Sequence, residues 1–292
     1  MTVSTPALFA DLVDDAAATP FGGATLVEAI EEHRRHRTAW YGDLLGPMLV
    51  PASTAAALIR VKDRADVEFA LVADAGLERL DGALTALTQA GLSFQRVEVS
   101  VAKRGEDPLP GLHRLLAMGE RFPGIQLFAE IPLTWGVTEA LDVVADSAAG
   151  ATPQVVAMFR VGGLAAELFP TPVALAGVIC ACRDRGVTFK LSAGLHRAMR
   201  HNDPETGFTH HGVVNVLAAC LTAASGGSLG TVADRLAASD PVPLVELVRA
   251  SRDLARPLWT GFSSCLPGEL LPDLRAFGLL GPDAGASAIP VR

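Results

Sequence analysis

The strongest constraint on the fold is a regular alternation of short apolar runs with longer runs of helical periodicity. The first clear pair is GPMLVPA (46–52) followed by STAAALIRV, and the sixth is VTFKLSA (187–193) followed by HHGVVNVLAACLTAASGG. Four more strand candidates, each followed by a helical run, lie between them: 67–74, 93–101, 125–131 and 153–161. Strands that alternate with helices of about 10 to 15 residues predict βαβ units and a parallel sheet.

A seventh strand candidate, PLWTGFSSC (257–265), follows two further helical runs. The chain has 292 residues and no linker-like stretch in its middle, so we expect one α/β domain, a TIM-type (β/α) barrel over residues 41–280. Since a regular barrel has eight strands, either the barrel is irregular and seven-stranded or one strand is missed. A doubly wound open sheet is the alternative. Residues 1–40 are predicted to add an N-terminal helix, and residues 281–292 to form a loose C-terminal tail.

Charge and cysteine content narrow the class of protein. The net charge is −8 and the pI about 5.4, whereas proteins that bind nucleic acids or anionic membranes are usually basic, so we expect neither as a partner. The four cysteines, Cys180, Cys182, Cys220 and Cys265, form no CxxC pair and are predicted to be free thiols, which fits the reducing cytoplasm. The start of the chain lacks the basic region of a signal peptide, and the longest apolar runs are about half the roughly 20 residues of a membrane helix. We therefore expect a cytoplasmic protein with a small anionic substrate, and a homo-oligomer stays open.

Positive charge concentrates at the end of the sixth predicted strand. FKLSAGLHRAMRH (189–201) holds one lysine, two arginines, two histidines and no acid, although the chain is acidic overall. In a barrel and in an open sheet alike, ligands bind at the C-terminal ends of the strands. Five polar residues of this stretch are therefore predicted to reach the ligand site: Lys190, Ser192, His196, Arg200 and His201.

Lys190 is the residue of this stretch whose type is hardest to explain as structure. The chain has 24 basic side chains but only three lysines, Lys62, Lys103 and Lys190. A lysine on an apolar strand is expected where an amine must lose its proton, because burial and nearby cations lower its pKa and make it a Schiff-base nucleophile or a general base. The structural alternative is an ion pair with an acid such as Glu130.

Two acids and an arginine lie at the ends of neighbouring predicted strands. Glu98 in RVEVSV and Glu130 in FAEIP are candidates for proton transfer, because a carboxylate within a buried parallel strand is costly unless it is paired. Arg160 precedes Gly162 and Gly163, and its guanidinium is predicted to hold an anionic group that the two glycines allow to come close. The structural alternatives are an edge position for Glu98 and an ion pair between Arg160 and Glu130.

THHGVVNVL (209–217) predicts the start of a helix. Thr209 is a candidate N-cap, which places His210 and His211 in the first turn, where free N–H groups favour anions and a neutral imidazole can act as acid or electrophile. Asn215 follows His211 by four residues and shares its face. A capping role for one of the histidines is the structural alternative.

Two resemblances follow from these motifs. FKLSAGLHRAMRH with the following HHGVVNVLAA resembles a stretch of uncharacterised bacterial proteins of barrel type, which implies membership and no known activity. The pattern K-x-S-x-G at 190–194 is similar to the strand lysine of class I aldolases of the deoxyribose-phosphate type, RVEV to their acidic strand, and FSSC, with Ser263 and Ser264, to their final phosphate-contacting strand. The resemblance implies a Schiff base on Lys190. These aldolases use two strand lysines, whereas this chain offers Arg160 and Lys190, and the aldolase mechanism fails if Arg160 occupies the Schiff-base position.

We therefore predict a lyase or aldolase-type enzyme that acts on a small anionic carbonyl or carboxylate compound and needs no cofactor. One alternative is a lyase or isomerase that depends on a divalent metal, with four predicted ligands: Glu98, Glu130, His196 and His211. The other is a non-catalytic barrel that binds a small anion. The absence of GxGxxG, Walker and GxSxG motifs makes a dinucleotide site, a P-loop and a serine hydrolase unlikely classes.

Overall fold

Eight parallel strands close into a barrel in the computed structural model, which describes residues 5–61, 66–92, 94–150 and 154–281. The barrel strands are β1 (Val13–Asp15), β2 (Leu45–Pro51), β3 (Phe69–Val72), β4 (Arg96–Ser100), β5 (Gln126–Glu130), β6 (Val155–Arg160), β7 (Phe189–Ser192) and β10 (Trp259–Ser264). Each pairs with its neighbours along the chain, and β10 pairs with both β7 and β1. The predicted barrel is confirmed, and the alternative of an open sheet is wrong.

Helices follow the strands and form the outer layer. They are α1 (Leu26–Thr38), α2 (Ala55–Arg60), α3 (Leu77–Gln89), α4 (Pro108–Arg121), α5 (Val137–Ala149), α6 (Pro172–Arg185), α7 (Val213–Ala224), α8 (Leu229–Ala237), α9 (Pro241–Ala250) and α10 (Leu271–Ala276). Between β7 and α7, the chain forms a small antiparallel hairpin of β8 (His201–Asn202) and β9 (Thr209–His210). This hairpin lies on the side of the barrel where ligands bind in this fold.

The strand that the sequence did not predict is β1. It has three residues, two of them acids, so it lacks the apolar run that marks the other strands. Its acids are nonetheless buried with partners: Asp14 contacts Lys190, and Asp15 contacts His33 of α1. The helix predicted within residues 1–40 is present as α1, but this region is no addition to the barrel, because β1 closes the barrel and α1 is its first outer helix. The predicted C-terminal tail, from residue 282 onward, lies outside the described residues.

The core has two parts. Most buried apolar side chains lie between the strands and the helices, where they form one continuous cluster. Inside the barrel there are only small apolar groups, Ala16 with Leu49 and Ala70, and Phe128 with Val156 and Met158, among the residues that the structure describes. The space between these groups is occupied by charged side chains, which is unusual because barrel interiors are filled mainly by branched apolar residues.

One helical stretch, Ala166–Arg185, is long and apolar enough to cross a membrane by length and composition alone. Within it the α-helix proper, α6, begins only at Pro172. Leu175, Ile179 and Cys182 of this helix are buried, and α6 packs against α5, α7 and α8. Its apolar composition is thus explained by its place in the outer layer of the barrel.

Candidate active site

A cleft of about 710 Å³ opens at the C-terminal mouth of the barrel. Its walls come from the segments that follow β4, β5 and β6, over residues 100–104, 130–133 and 160–174. Because these three strands are neighbours in the sheet, the cleft occupies one side of the mouth. We call it the mouth cleft. Its size and position are those of a small-molecule site.

Glu130, Arg160 and Ser192 meet at the base of the mouth cleft. The Nε and one terminal nitrogen of Arg160 each lie 3.1 Å from Glu130 Oε1, and the same terminal nitrogen lies 3.1 Å from Oε2. The Ser192 hydroxyl donates to Glu130 Oε2 at 2.8 Å. Arg160 retains 37% of its side-chain exposure and Glu130 13%, so the pair faces the opening while it is partly desolvated. The sequence predicted all three as residues of the site. It offered the ion pair between Arg160 and Glu130 as the structural alternative to a role in ligand binding.

Lys190 lies inside the barrel between two carboxylates, those of Asp14 and Glu98. Since β7 and β4 are not neighbours in the sheet, Lys190 and Glu98 can meet only across the barrel interior. We call these three residues the interior triad. The Phe128 ring lies 5.4 Å from the Lys190 amine, and Arg96 lies 3.9 Å from Asp14. The structural alternative, in which Lys190 pairs with an acid, is what the structure shows, although the acids are Asp14 and Glu98 and not the Glu130 named as an example.

The electrostatics of the interior triad fix its protonation. Burial alone would lower the pKa of Lys190, but the charges and hydrogen bonds of Asp14 and Glu98 outweigh it, so the pKa is raised. Burial also raises the pKa of Glu98, which Lys190 opposes and the charges of Asp14 and Glu130 reinforce. Lys190 is thus an ammonium ion here, whereas the Schiff-base prediction needs a neutral amine. Glu98 accepts a proton more readily than an exposed glutamate does.

Ser263 faces the same interior as the triad. In the sheet it is level with Asp14 on one side and with Ser192 on the other, so the three side chains share the inner face. The Ser263 hydroxyl is buried and has no hydrogen-bond partner among the described residues. Ser264 is level with Asp15 and faces outward, where its hydroxyl accepts from the backbone N–H of Leu266 at 3.2 Å. The predicted ligand contact of Ser264 is therefore not supported.

The two glycines after β6 serve backbone packing. A Cβ on Gly162 would lie 2.6 Å from the Cα of Gly194, and a Cβ on Gly163 would lie 2.4 Å from a methyl carbon of Leu168. Gly194 itself has a φ of 76°, which favours glycine. Gly162 thus allows two loops to approach closely, and Gly163 makes room for the Leu168 side chain of its own loop, while the predicted approach of an anion to these glycines stays a prediction.

Three histidines cluster in the loop after β7. The ring centroids of His201 and His210 are 5.1 Å apart, and those of His196 and His210 are 6.0 Å apart. His196 also lies 3.8 Å from Glu269. Burial lowers the pKa of both His196 and His210. The fold brings the three together, and the His210 ring also contacts Phe169, which lines the mouth cleft.

The predicted helix start at Thr209 is wrong. Helix α7 begins at Val213 with Gly212 as its N-cap, and Thr209 pairs with Asn202 in the hairpin. His210 therefore lies in β9, where its Nδ1 is 3.2 Å from the Gly194 carbonyl. The start of α7 packs directly on the backbone of residues 198–200, and the close approach leaves no room for a side chain on Gly212.

His211 and Asn215 hold the loop in place. His211 is fully buried, its Nε2 lies 2.8 Å from the Pro170 carbonyl, and burial lowers its pKa to about 4. The carbonyl only accepts, so Nε2 carries the proton and the ring is neutral. Asn215 accepts from the backbone N–H of Arg200 at 2.8 Å and donates to the carbonyls of Arg235 and Ala238. These contacts stabilise the loop after β7. They give His211 a structural role where a catalytic one was predicted, and Asn215 a structural role where a ligand contact was predicted.

The four residues of the metal alternative lie apart. Glu98 contacts Lys190, Glu130 contacts Arg160, His196 lies near Glu269 and His211 contacts Pro170. Across residues 5–281, within the described ranges, no group of three or more histidine, cysteine or acidic side chains has a metal-binding arrangement. The structure does not bring the four residues named in the metal alternative together as one ligand set.

Sequence reasoning missed two residues of the interior. Asp14 lies in a short strand, β1, that is mostly acidic. Arg96 precedes Glu98 in β4, and the two side chains point to the same face of the strand. The signal that could have found Arg96 is this alternation of two charged residues on the same face of a buried strand. No comparable pattern identifies Asp14, because the sequence VDD is equally typical of a polar turn.

No protein-family model matches the chain, and no curated protein matches it significantly. The resemblances to bacterial barrel proteins and to class I aldolases thus stay predictions.

Proposed function

We propose that this protein is a barrel enzyme of the lyase or aldolase kind that acts on a small anionic carbonyl or carboxylate compound. The observation that carries the proposal is the interior triad, which lies within the barrel whose mouth holds the Glu130–Arg160 pair. Desolvating buried ions costs several kcal/mol each, and apolar side chains of similar volume are often at least as stabilising. A function explains a charged barrel interior beneath a ligand cleft better than stability does.

Arg160 is the anion-binding group of this proposal. Its guanidinium already binds one carboxylate in the two-pronged manner that arginine uses for carboxylates and phosphates. A substrate anion would replace Glu130 on the exposed side of Arg160. Glu130, still hydrogen-bonded to Ser192, would then be free to take or give a proton next to the substrate.

Lys190 is the nucleophile in the covalent form of the proposal. The ammonium ion would first give a proton to Glu98, whose raised pKa favours that transfer. The neutral amine would attack the substrate carbonyl carbon, and the oxygen would leave as water as the C=N bond forms. The partnerless Ser263 hydroxyl, on the same inner face, would donate to the departing oxygen.

Borohydride trapping tests the covalent form. The purified protein is incubated with pyruvate, glyceraldehyde 3-phosphate or acetaldehyde, reduced, digested and mapped by mass spectrometry. We expect an adduct on Lys190, and none on the exposed Lys103, which serves as the internal control. Lys190→Arg keeps the charge and cannot form the imine, so it should give no adduct. Absence of a Lys190 adduct with every carbonyl would exclude the Schiff base.

One observation favours a second candidate, a non-catalytic barrel that binds a small anion. Lys190 is held as an ammonium ion by two acids, which suits a fixed charge better than a nucleophile. In that case Arg160→Met would weaken anion binding while no compound is turned over by the native protein. Turnover of any bound carbonyl compound would exclude this candidate.

The cytoplasmic location remains part of the proposal. Its support is that all four cysteines are free and three are buried. Their pKa values are raised by burial, so they behave as structural thiols.

A further inference from the structure

The mouth cleft has a cationic side. Lys103 and Arg104 follow β4, line the cleft and are exposed to solvent. Their side chains make no ion pair or hydrogen bond within the part of the chain that the structure describes. Two neighbouring cations without a partner are available to an anion, and Arg160 adds a third at the base of the cleft.

The opposite side of the mouth cleft is apolar. It is formed by Leu168, Phe169 and Pro170, which lie between β6 and α6. The Phe169 ring is fixed from behind, because its centroid lies 4.9 Å from that of Phe208 and 4.7 Å from that of His210. A ring held in this way presents a pre-organised apolar surface to a ligand.

Acids in the same cleft limit the charge of the ligand. Glu130 is paired with Arg160, and Glu167 lies exposed on the apolar side. Three cations thus face two carboxylates, which suits an anion of low charge better than a polyanion. The cleft volume of about 710 Å³ is also far larger than a three-carbon acid fills.

We propose that the ligand of the mouth cleft is a carboxylate that carries an aromatic or similarly bulky apolar group. The carboxylate lies toward Lys103, Arg104 and Arg160, and the apolar group lies on the wall formed by Phe169. This inference rests on the proposed function, because it names the class of substrate for the same site.

Three related compounds test the inference by isothermal titration calorimetry with the full chain. Phenylpyruvate has both features, pyruvate lacks the ring, and phenylacetone lacks the carboxylate. We expect phenylpyruvate to bind at least about tenfold more tightly than pyruvate, which has no ring to bury, and than phenylacetone, which has no carboxylate to pair with the cations. Equal affinities for phenylpyruvate and pyruvate would overturn the inference and leave the proposed anion site intact. Failure of both acids to bind would overturn the proposed function as well.

Matched variants locate the effect. Phe169→Ala should abolish the preference for phenylpyruvate over pyruvate and leave the affinity for pyruvate unchanged. Phe21→Ala removes an aromatic ring that is 72% exposed and does not line the cleft, so the preference should persist. Lys103→Met combined with Arg104→Met should weaken both acids about equally. A preference that survives in Phe169→Ala would contradict the placement of the ring.

Discussion

The interior triad and the Glu130–Arg160 pair are both ion pairs of strand residues, yet their surroundings differ. Lys190 is 2% exposed, and Asp14 and Glu98 are each 5% exposed. Arg160, by contrast, keeps 37% of its side-chain exposure and its partner Glu130 keeps 13%. The triad is shielded from bulk solvent, so solvent cannot readily replace a lost partner, whereas the pair at the mouth is open to solvent on one side.

This difference separates a fixed charge from an exchangeable one. A buried ion without its partner costs several kcal/mol, so the triad must keep its geometry throughout folding and binding. A partly exposed pair contributes about 0–1 kcal/mol, so a ligand can displace one member cheaply. We therefore assign reversible anion binding to the mouth. In the covalent form of the proposal, Lys190 reacts only by passing its proton to Glu98, which leaves no unpaired ion in the interior.

The largest expected effect is in the interior. Lys190→Met leaves two carboxylates buried without their cation, so the free energy of unfolding should fall by about 3–5 kcal/mol. Urea denaturation measures this, and Lys103→Met, at an exposed position, is the control that should change it by less than about 0.5 kcal/mol. Adding Asp14→Asn and Glu98→Gln to Lys190→Met should recover part of the loss. A loss below about 1 kcal/mol in Lys190→Met would mean that the triad is not buried as described.

The second effect concerns pH and the loop above the mouth. His211 is neutral in the fold because burial lowers its pKa from 6.5 to about 4. The unfolded chain binds this proton more readily, so stability is full above about pH 6.5 and falls by about 3 kcal/mol as the pH drops to about 4. His211→Gln keeps a donor for the Pro170 carbonyl and should remove this slope.

The control for that experiment is the exposed His113, whose change to glutamine should leave the slope unchanged. Glu98 acts in the opposite direction, because its raised pKa makes the folded protein bind a proton more readily. Both proteins contain Glu98, so the difference between their stability–pH profiles gives the contribution of His211 alone. An identical pH profile for the two proteins would contradict the buried neutral state.

The third effect tests the space around Asp14. A Cβ on Gly46 would lie 2.1 Å from Asp14 Oδ1, so Gly46→Ala should push the carboxylate away from Lys190. We expect a loss of about 1–3 kcal/mol in thermal or urea unfolding. Gly82→Ala is the matched control, because no atom lies within 4 Å of that Cβ and alanine favours its helix. Equal stability of the two variants would show that the interior can rearrange.

The smallest effect on stability is expected at the mouth. Arg160→Met should change the free energy of unfolding by no more than about 1 kcal/mol, because the pair with Glu130 is partly exposed. The same variant should weaken phenylpyruvate binding by about tenfold or more, since a charge-assisted pair with a carboxylate is lost. Arg114→Met removes an exposed arginine that pairs with Glu78 on the outer layer and should leave binding unchanged. A loss of stability in Arg160→Met as large as that in Lys190→Met would show that the Glu130–Arg160 pair contributes as much to stability as the interior triad.

Seven of the eight barrel strands could be predicted from the sequence. Segments such as 125–131 and 187–193 contain β5 and β7, because a strand buried on both faces must be apolar along its length. The first strand escaped this rule, since two of its three residues are acids. Those acids are tolerated only because Lys190 and His33 meet them in the fold, and neither partner is close to them in the sequence.

The sequence by itself determined that Lys190, Glu98, Glu130 and Arg160 are polar residues of barrel strands. The tertiary structure decided their partners. Closing the sheet into a barrel places β1, β4 and β7 around one interior, so Lys190 meets Asp14 and Glu98, and Glu130 is left to Arg160. The spacing of residues along a strand reports which face they share, but it carries no information about which strands lie across a closed barrel.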